Sequence, residues 1–224
     1  MNFLFLWIAL LISLLDWIAV AMKWKKLEYF AKPGVMLALL AWMWQAGAIS
    51  GQATWFAVGL FFSLAGDIFL MLPVEQFIAG LVAFLLAHLA YLVGFNPTAP
   101  PFNLASLSPA VLLGLVAGQI YRAIAAGLAA SNHIQLRLPV LIYSGAISLM
   151  LLSALLTLVR DEWNAGPALL VSAGALLFFL SDTFLAWNKF VAPLAYGKLR
   201  VIITYHLGQI LIVIGAMIHF AGII

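Results

Sequence analysis

The feature that most constrains this chain is a recurrence of apolar runs of about twenty residues, each long enough to cross a bilayer as a helix, separated by short polar turns. Those turns predict eight spans, over 3–22, 33–50, 53–72, 76–95, 109–129, 137–159, 167–188 and 199–222. Hydrophobic residues make up 67% of the chain and charged residues 8%, against roughly half and a quarter in soluble domains. Ten basic and seven acidic side chains cannot cover the surface of a soluble protein of 224 residues, and a bilayer removes that need. The expected fold is therefore all-α: one integral membrane domain over 1–224, a polytopic bundle of about eight transmembrane helices. It leaves no room for a soluble catalytic or nucleotide-binding domain. The absence of cysteine excludes disulfides, thiolate metal sites and cysteine nucleophiles. The net charge of +3 comes from few, scattered basic residues and does not point to nucleic acid.

Prolines support the division. Pro33, Pro109, Pro139 and Pro167 fall at the first turn of a proposed helix, where a missing N–H costs nothing. Pro73, Pro97, Pro100, Pro101 and Pro193 fall in connections, the longest running from Asn96 to Ser108. Ala19-Val20-Ala21 resembles a signal-cleavage site. Asp16 interrupts the preceding apolar run, however, and the lysines follow it, so the first helix reads as retained.

Basic residues set the orientation. Lys23, Lys25, Lys26 and Lys32 lie between the first and second spans, Arg137 between the fifth and sixth, and Lys189, Lys198 and Arg200 between the last two. All are on one face, which the positive-inside rule makes cytoplasmic. Both termini are then non-cytoplasmic, and the expected location is a bacterial cytoplasmic membrane. The sequence also carries an internal echo. Asp67-Ile68-Phe69-Leu70 and Asp182-Thr183-Phe184-Leu185 each precede a helix containing His-Leu, at His88 and His206. Two four-helix halves in the same orientation would produce it, and so would coincidence in Leu- and Phe-rich sequence.

Polar residues inside the spans carry the functional information, because an Asp at a helix centre costs about 2.5–3.5 kcal/mol on the insertion scale. Asp16, Asp67 and Asp182 each sit roughly 7–10 Å below the cytoplasmic end of a helix, at about 1.5 Å per residue. His206 enters from the same side to a similar depth. His88 lies deeper, with Tyr91 one turn on, and Tyr205 and Gln209 stack one turn apart. This match of depths predicts a polar pocket opening toward the cytoplasm. Asp67 and Asp182, if they converge, would share a low-dielectric site in which one holds a proton and the other does not, as a general acid beside a general base requires.

Plainer readings stand beside these. Asp16 can be a structural partner of Arg122, and His88 with Tyr91 can be interhelical hydrogen-bond glue. Gly59, Ser63 and Asp67 recur every four residues and fit close helix packing. Trp24, Trp55, Trp163 and Trp187, near span ends, read as interfacial anchors. His133 and His219 receive no role.

Ser63-Leu64-Ala65-Gly66-Asp67 with Met71-Leu72-Pro73, and Ala83-Phe84 through Ala87-His88 to Tyr91, resemble the YhhN-like family of lysoplasmalogenases. So do Gly174 through Ser181-Asp182 to Ala186, Thr204-Tyr205 with Gln209, Lys32-Pro33, and Pro139 to Tyr143. The resemblance runs from about Lys32 to Gly215. It departs at His206-Leu207-Gly208, where a second aromatic and an alanine are expected. It implies a multi-pass membrane hydrolase that cleaves the vinyl-ether bond of a lysoplasmalogen to a fatty aldehyde and a glycerophospho-alcohol, with no metal or organic cofactor. The partners it implies are a lysophospholipid substrate and membrane lipids. On that reading Asp67 and Asp182 are the catalytic acid/base pair, in either order. His88, Tyr91, Tyr205, His206 and Gln209 line the substrate site, and Lys32 and Arg200 hold the lipid phosphate. Intramembrane acids and histidines equally suit a proton-coupled transporter, and structural aspartates suit a non-catalytic lipid-binding protein. Oligomeric state and headgroup preference are not legible.

Overall fold

A computed structural model describes residues 3–72, 76–101 and 103–222. Among them are eight α-helices: α1 (Leu4–Ala21), α2 (Lys25–Gln45), α3 (Thr54–Met71), α4 (Phe77–Phe95), α5 (Leu104–Ala130), α6 (Arg137–Leu156), α7 (Ala165–Phe190) and α8 (Gly197–Ala221). Seven are long and apolar enough to cross a membrane. The exception is α2, whose first eight residues include Lys25, Lys26, Glu28 and Lys32. The protein is an integral multi-pass membrane protein.

Two helices begin earlier than their prolines suggest. Pro33 is the ninth residue of α2 and Pro109 the sixth of α5. A proline inside a helix deprives the carbonyl four residues back of its partner. Here those carbonyls belong to Tyr29 and Ala105, both on exposed residues near helix ends, where other donors can reach them. For α5 a stronger start signal wins. Asn103 Oδ1 accepts from the Ser106 N–H at 3.0 Å while Ser106 Oγ accepts from the Asn103 N–H at 2.9 Å, a reciprocal capping box. The connection after α4 is correspondingly shorter than the dozen residues expected. Pro73 lies outside the described residues.

The early start of α2 matters for the site, because it carries Lys32 on a helix packed against α1 and α3 instead of leaving it in a rim loop.

The tightest pairs are α3 with α4 and α7 with α8. Glycines permit both. Gly59 and Gly66 of α3 lie under the rings of Tyr91 and Phe84 of α4. A Cβ on Gly174 of α7 would stand 2.7 Å from the Gly208 carbonyl oxygen of α8, so these two backbones nearly touch. Between the pairs, Phe56, Tyr91, Phe178, Tyr205 and Met217 fill the core.

The end away from the lysines is tied by Arg160, a buried side chain that donates to Asn96 Oδ1 at 2.6 Å and lies 3.7 Å from Glu162. Burial pushes its guanidinium pKa down. Glu162 accepts from the Thr98 hydroxyl at 2.8 Å. Its carboxyl is held below the usual range, first by a hydrogen bond to its own backbone and then by that hydroxyl. Trp24 and Trp55 are exposed, as anchors should be, but Trp163 is not an outward anchor: it is buried and stacks on His219 with ring centroids 3.8 Å apart. Its position next to Arg160, in the turn that closes this end, draws it inward.

Candidate functional site

Three polar clusters sit inside the bundle. In the first, Asp67 of α3 is fully buried. Its Oδ1 lies 3.1 Å from Lys32 Nζ of α2, and its Oδ2 accepts from the Tyr205 hydroxyl of α8 at 2.7 Å. Three helices thus meet on one carboxylate.

In the second, Asp182 of α7 receives the Tyr143 hydroxyl of α6 and lies 3.1 Å from His88 Nε2 of α4. His88 Nε2 and Tyr143 Oη are 3.0 Å apart, so the three groups form a closed triangle. Both partners engage Oδ2 of Asp182, and the side chain keeps 12% exposure. Its other oxygen is tied to neither partner.

In the third, the Tyr91 hydroxyl donates to Gln209 Oε1 at 2.5 Å, and Gln209 Nε2 donates to Ser63 Oγ at 2.8 Å. This buried chain locks α4, α8 and α3 together one turn further from the lysine-bearing end than Asp67, His88 and Tyr205.

Asp67 and Asp182 sit in separate hydrogen-bond clusters. Each has its own partners, and no hydrogen bond joins them among the described residues. The rings of Phe84, Phe178 and Tyr205, in mutual edge contact, stand near both clusters.

Asp16 does not pair with Arg122 either. It is buried against His206 of α8, Nε2 to Oδ2 at 3.9 Å. The helix carrying it, α1, packs on α2 and α8, whereas α5, which carries Arg122, packs on α6 and α7. His206 thus faces α1.

Two cavities adjoin these clusters. A mostly apolar one runs between α4, α5, α6 and α7, with Ile120, Ile147 and Phe179 in its wall and Asp182, Tyr143, Ser144, Ser148 and Thr183 as its polar lining. A vestibule at the lysine-bearing end is lined by Glu28, Lys32, Asn188, Lys189 and Lys198. Leu70, Phe77 and Leu185 belong to both walls, so the two spaces are neighbours.

Of the residues singled out in the sequence, Lys32 and Asp182 line these spaces. Asp67, His88, Tyr91, Tyr205, His206 and Gln209 are buried behind them. Arg200 is exposed and outside the vestibule wall, where Lys198, two residues earlier, takes the place expected for it. Two participants were not singled out as site residues, Tyr143 and Ser63. Each is a modest polar residue in an apolar helix, and only its helix's neighbours reveal its use.

A carboxylate, an imidazole and a phenol joined beside a mostly apolar cavity mark a multi-pass α-helical membrane protein with ionisable groups inside its bundle. The chain belongs to the YhhN family, which it matches over residues 27–216. It is 33% identical over 191 residues to the lysoplasmalogenase TMEM86B of Mus musculus, covering 81% of this chain and 72% of that one. It is 31% identical over 169 residues to the human lysoplasmalogenase TMEM86A, covering 74% and 66%. A Mycobacterium bovis lysoplasmalogenase is 32% identical over 164 residues, or 70% of this chain and 58% of its own. No solved structure matches. The family match takes in every residue of the three clusters, whereas Asp16, on α1, lies outside it.

Proposed function

We propose that this protein is a membrane-embedded hydrolase that opens the vinyl ether of a lysoplasmalogen, with Asp182 as the proton donor. The observation that carries this reading is the position of Asp182, which with Tyr143 lines a mostly apolar cavity whose other polar side chains, Ser144, Ser148 and Thr183, are hydroxyls. The names of the relatives point to the same substrate.

The chemistry needs few parts. Asp182, acting as the general acid, gives a proton to the alkene carbon remote from the ether oxygen, and the alkene π pair forms the new C–H bond. A lone pair on the ether oxygen then supports an oxocarbenium ion, which the carboxylate left behind faces. Water adds to the cationic carbon as that carboxylate takes its proton. The hemiacetal breaks its bond to the ether oxygen, which leaves protonated as the glycerol hydroxyl, and the carbonyl that forms is the fatty aldehyde. One water is consumed and no electrons are exchanged.

His88 and Tyr143 hold Oδ2 of Asp182, so that its other oxygen serves the cavity. Asp67 acts one step back, fixing Lys32 at the boundary between the buried site and the vestibule. Tyr91, Tyr205 and Gln209 keep α3, α4 and α8 in register around it, while His206 faces Asp16 of α1. The vestibule takes the headgroup on the cytoplasmic side, with both termini on the other. All three intramembrane aspartates lie in the lysine-bearing half of the bundle, a one-sided arrangement that suits a site entered from one face better than a path across the membrane.

The test is aldehyde release from a lysoplasmalogen by purified protein in detergent. The wild type should release it. Asp182→Asn, with unchanged size-exclusion behaviour, should lose about 10²–10⁴-fold in kcat, the usual worth of a positioned acid–base group. A wild type that releases no aldehyde, or an Asp182→Asn protein that turns over normally, overturns the reading.

A further inference from the structure

We propose that the vestibule reads both charges of a zwitterionic headgroup, with Lys198 taking the phosphate and Glu28 the ammonium. This rests on the lysolipid reading above and extends it to headgroup selection.

The vestibule is cationic, with Lys32, Lys189 and Lys198 in its wall, yet it also contains a carboxylate. Several of its polar groups are already engaged. Lys32 is held at 3.1 Å by Asp67. Lys189 lies over the Phe77 ring, 4.9 Å from its centroid. Asn188 Oδ1 accepts the Leu194 backbone N–H at 2.9 Å, fixing the turn between α7 and α8.

Glu28 and Lys198 remain, opposite in sign and without an ion-pair partner among the described residues. Glu28 is half-buried in the first turn of α2, where the helix dipole favours a carboxylate. Lys32, one turn on, is the natural helical partner of such a glutamate, but its amine is turned to Asp67. A carboxylate in this position would repel a ligand carrying only a phosphate. It suits a ligand in which an ammonium follows the phosphate, as in glycerophospho-ethanolamine or -choline. The apolar chain of such a molecule, leaving the vestibule past Leu70, Phe77 and Leu185, enters the cavity that Asp182 lines.

The experiment compares two saturated alkyl-ether lysolipids of equal chain length, which bind without being cleaved. One carries glycerophosphoethanolamine and the other glycerophosphate alone. Their Kd values are measured with detergent-purified wild type, Glu28→Gln and Lys198→Gln proteins of matched melting temperature. Glu28→Gln should shift the ratio of the two Kd values about tenfold against the ethanolamine lipid, and Lys198→Gln should weaken both lipids. An unchanged ratio in Glu28→Gln, or wild-type protein that binds neither lipid, overturns the proposal. Because these ligands contain no vinyl ether, the result is independent of aldehyde release: headgroup reading survives in a protein that binds but does not hydrolyse, and falls in one that hydrolyses without discrimination.

Discussion

Single residues announce themselves in this chain by what they cost. Asp67 and Asp182 stand out because a carboxylate inside a bilayer demands a partner, and both have one. Which partner was less legible. Lys32 precedes a proline that marks a helix start, so it reads as a rim cation for the lipid phosphate. With α2 beginning at Lys25, the same lysine reaches into the bundle and neutralises Asp67. Lys32→Met is therefore a stability experiment before it is a binding one. It strands a buried carboxylate with only the Tyr205 hydroxyl, and breaking a buried pair by removing one member costs about 3–5 kcal/mol. Lys32→Met should lower the unfolding free energy in detergent by about that much. Lys32→Met/Asp67→Asn should recover most of the loss, because the stranded charge is gone. If the double variant proves as unstable as the single one, the ion pair is not what holds α2 against α3.

At the scale of helices, the apolar runs gave the number and approximate place of the elements, since each must span a similar thickness. Their order of contact was not legible, because nearly every face is apolar and periodicity marks no preferred neighbour. Asp16 illustrates this: depth alone allows Arg122 as its partner, and only the packing of α1 on α8 selects His206. The glycines hold more of that information. Gly174 and Gly208 let α7 and α8 approach until backbone meets backbone, and that approach sets Tyr205 over Asp67 and Gln209 beside Tyr91. A Cβ on Gly208 would lie 2.9 Å from the Gly174 carbonyl oxygen and 3.0 Å from the Phe178 nitrogen. Neither neighbour is a flexible side-chain end, so the helices must separate. Gly208→Ala should cost about 1–3 kcal/mol, the range for overpacking, and Gly208→Val more. Aldehyde release should fall in the same order while both proteins still insert. A Gly208→Val protein with wild-type stability would show that the two helices slide apart freely, leaving the close approach without structural value.

For the whole molecule, composition and the distribution of lysines were enough to predict a membrane bundle with its polar groups gathered at one end, because both follow from solvation. The two joined spaces could not be read that way: they are made by what neighbouring helices fail to fill. Their arrangement predicts how the lipid lies. If the headgroup is in the vestibule and the vinyl ether at Asp182, the rest of the chain occupies the space walled by Ala117, Ile120 and Ile147. Ala117→Phe on α5 should then shorten the usable chain. Each methylene kept from apolar burial forfeits about 0.8 kcal/mol, roughly a fourfold step in affinity. The ratio of kcat/KM for long over short alkenyl substrates should therefore fall by roughly fourfold for every methylene excluded, while the shortest substrate changes little. Measured over a chain-length series, the ratio should break at the length that first meets the new ring. A uniform loss at all lengths would mean that the added ring disturbs α5 without touching the chain, and an unchanged ratio would mean that the tail leaves the site directly into the bilayer.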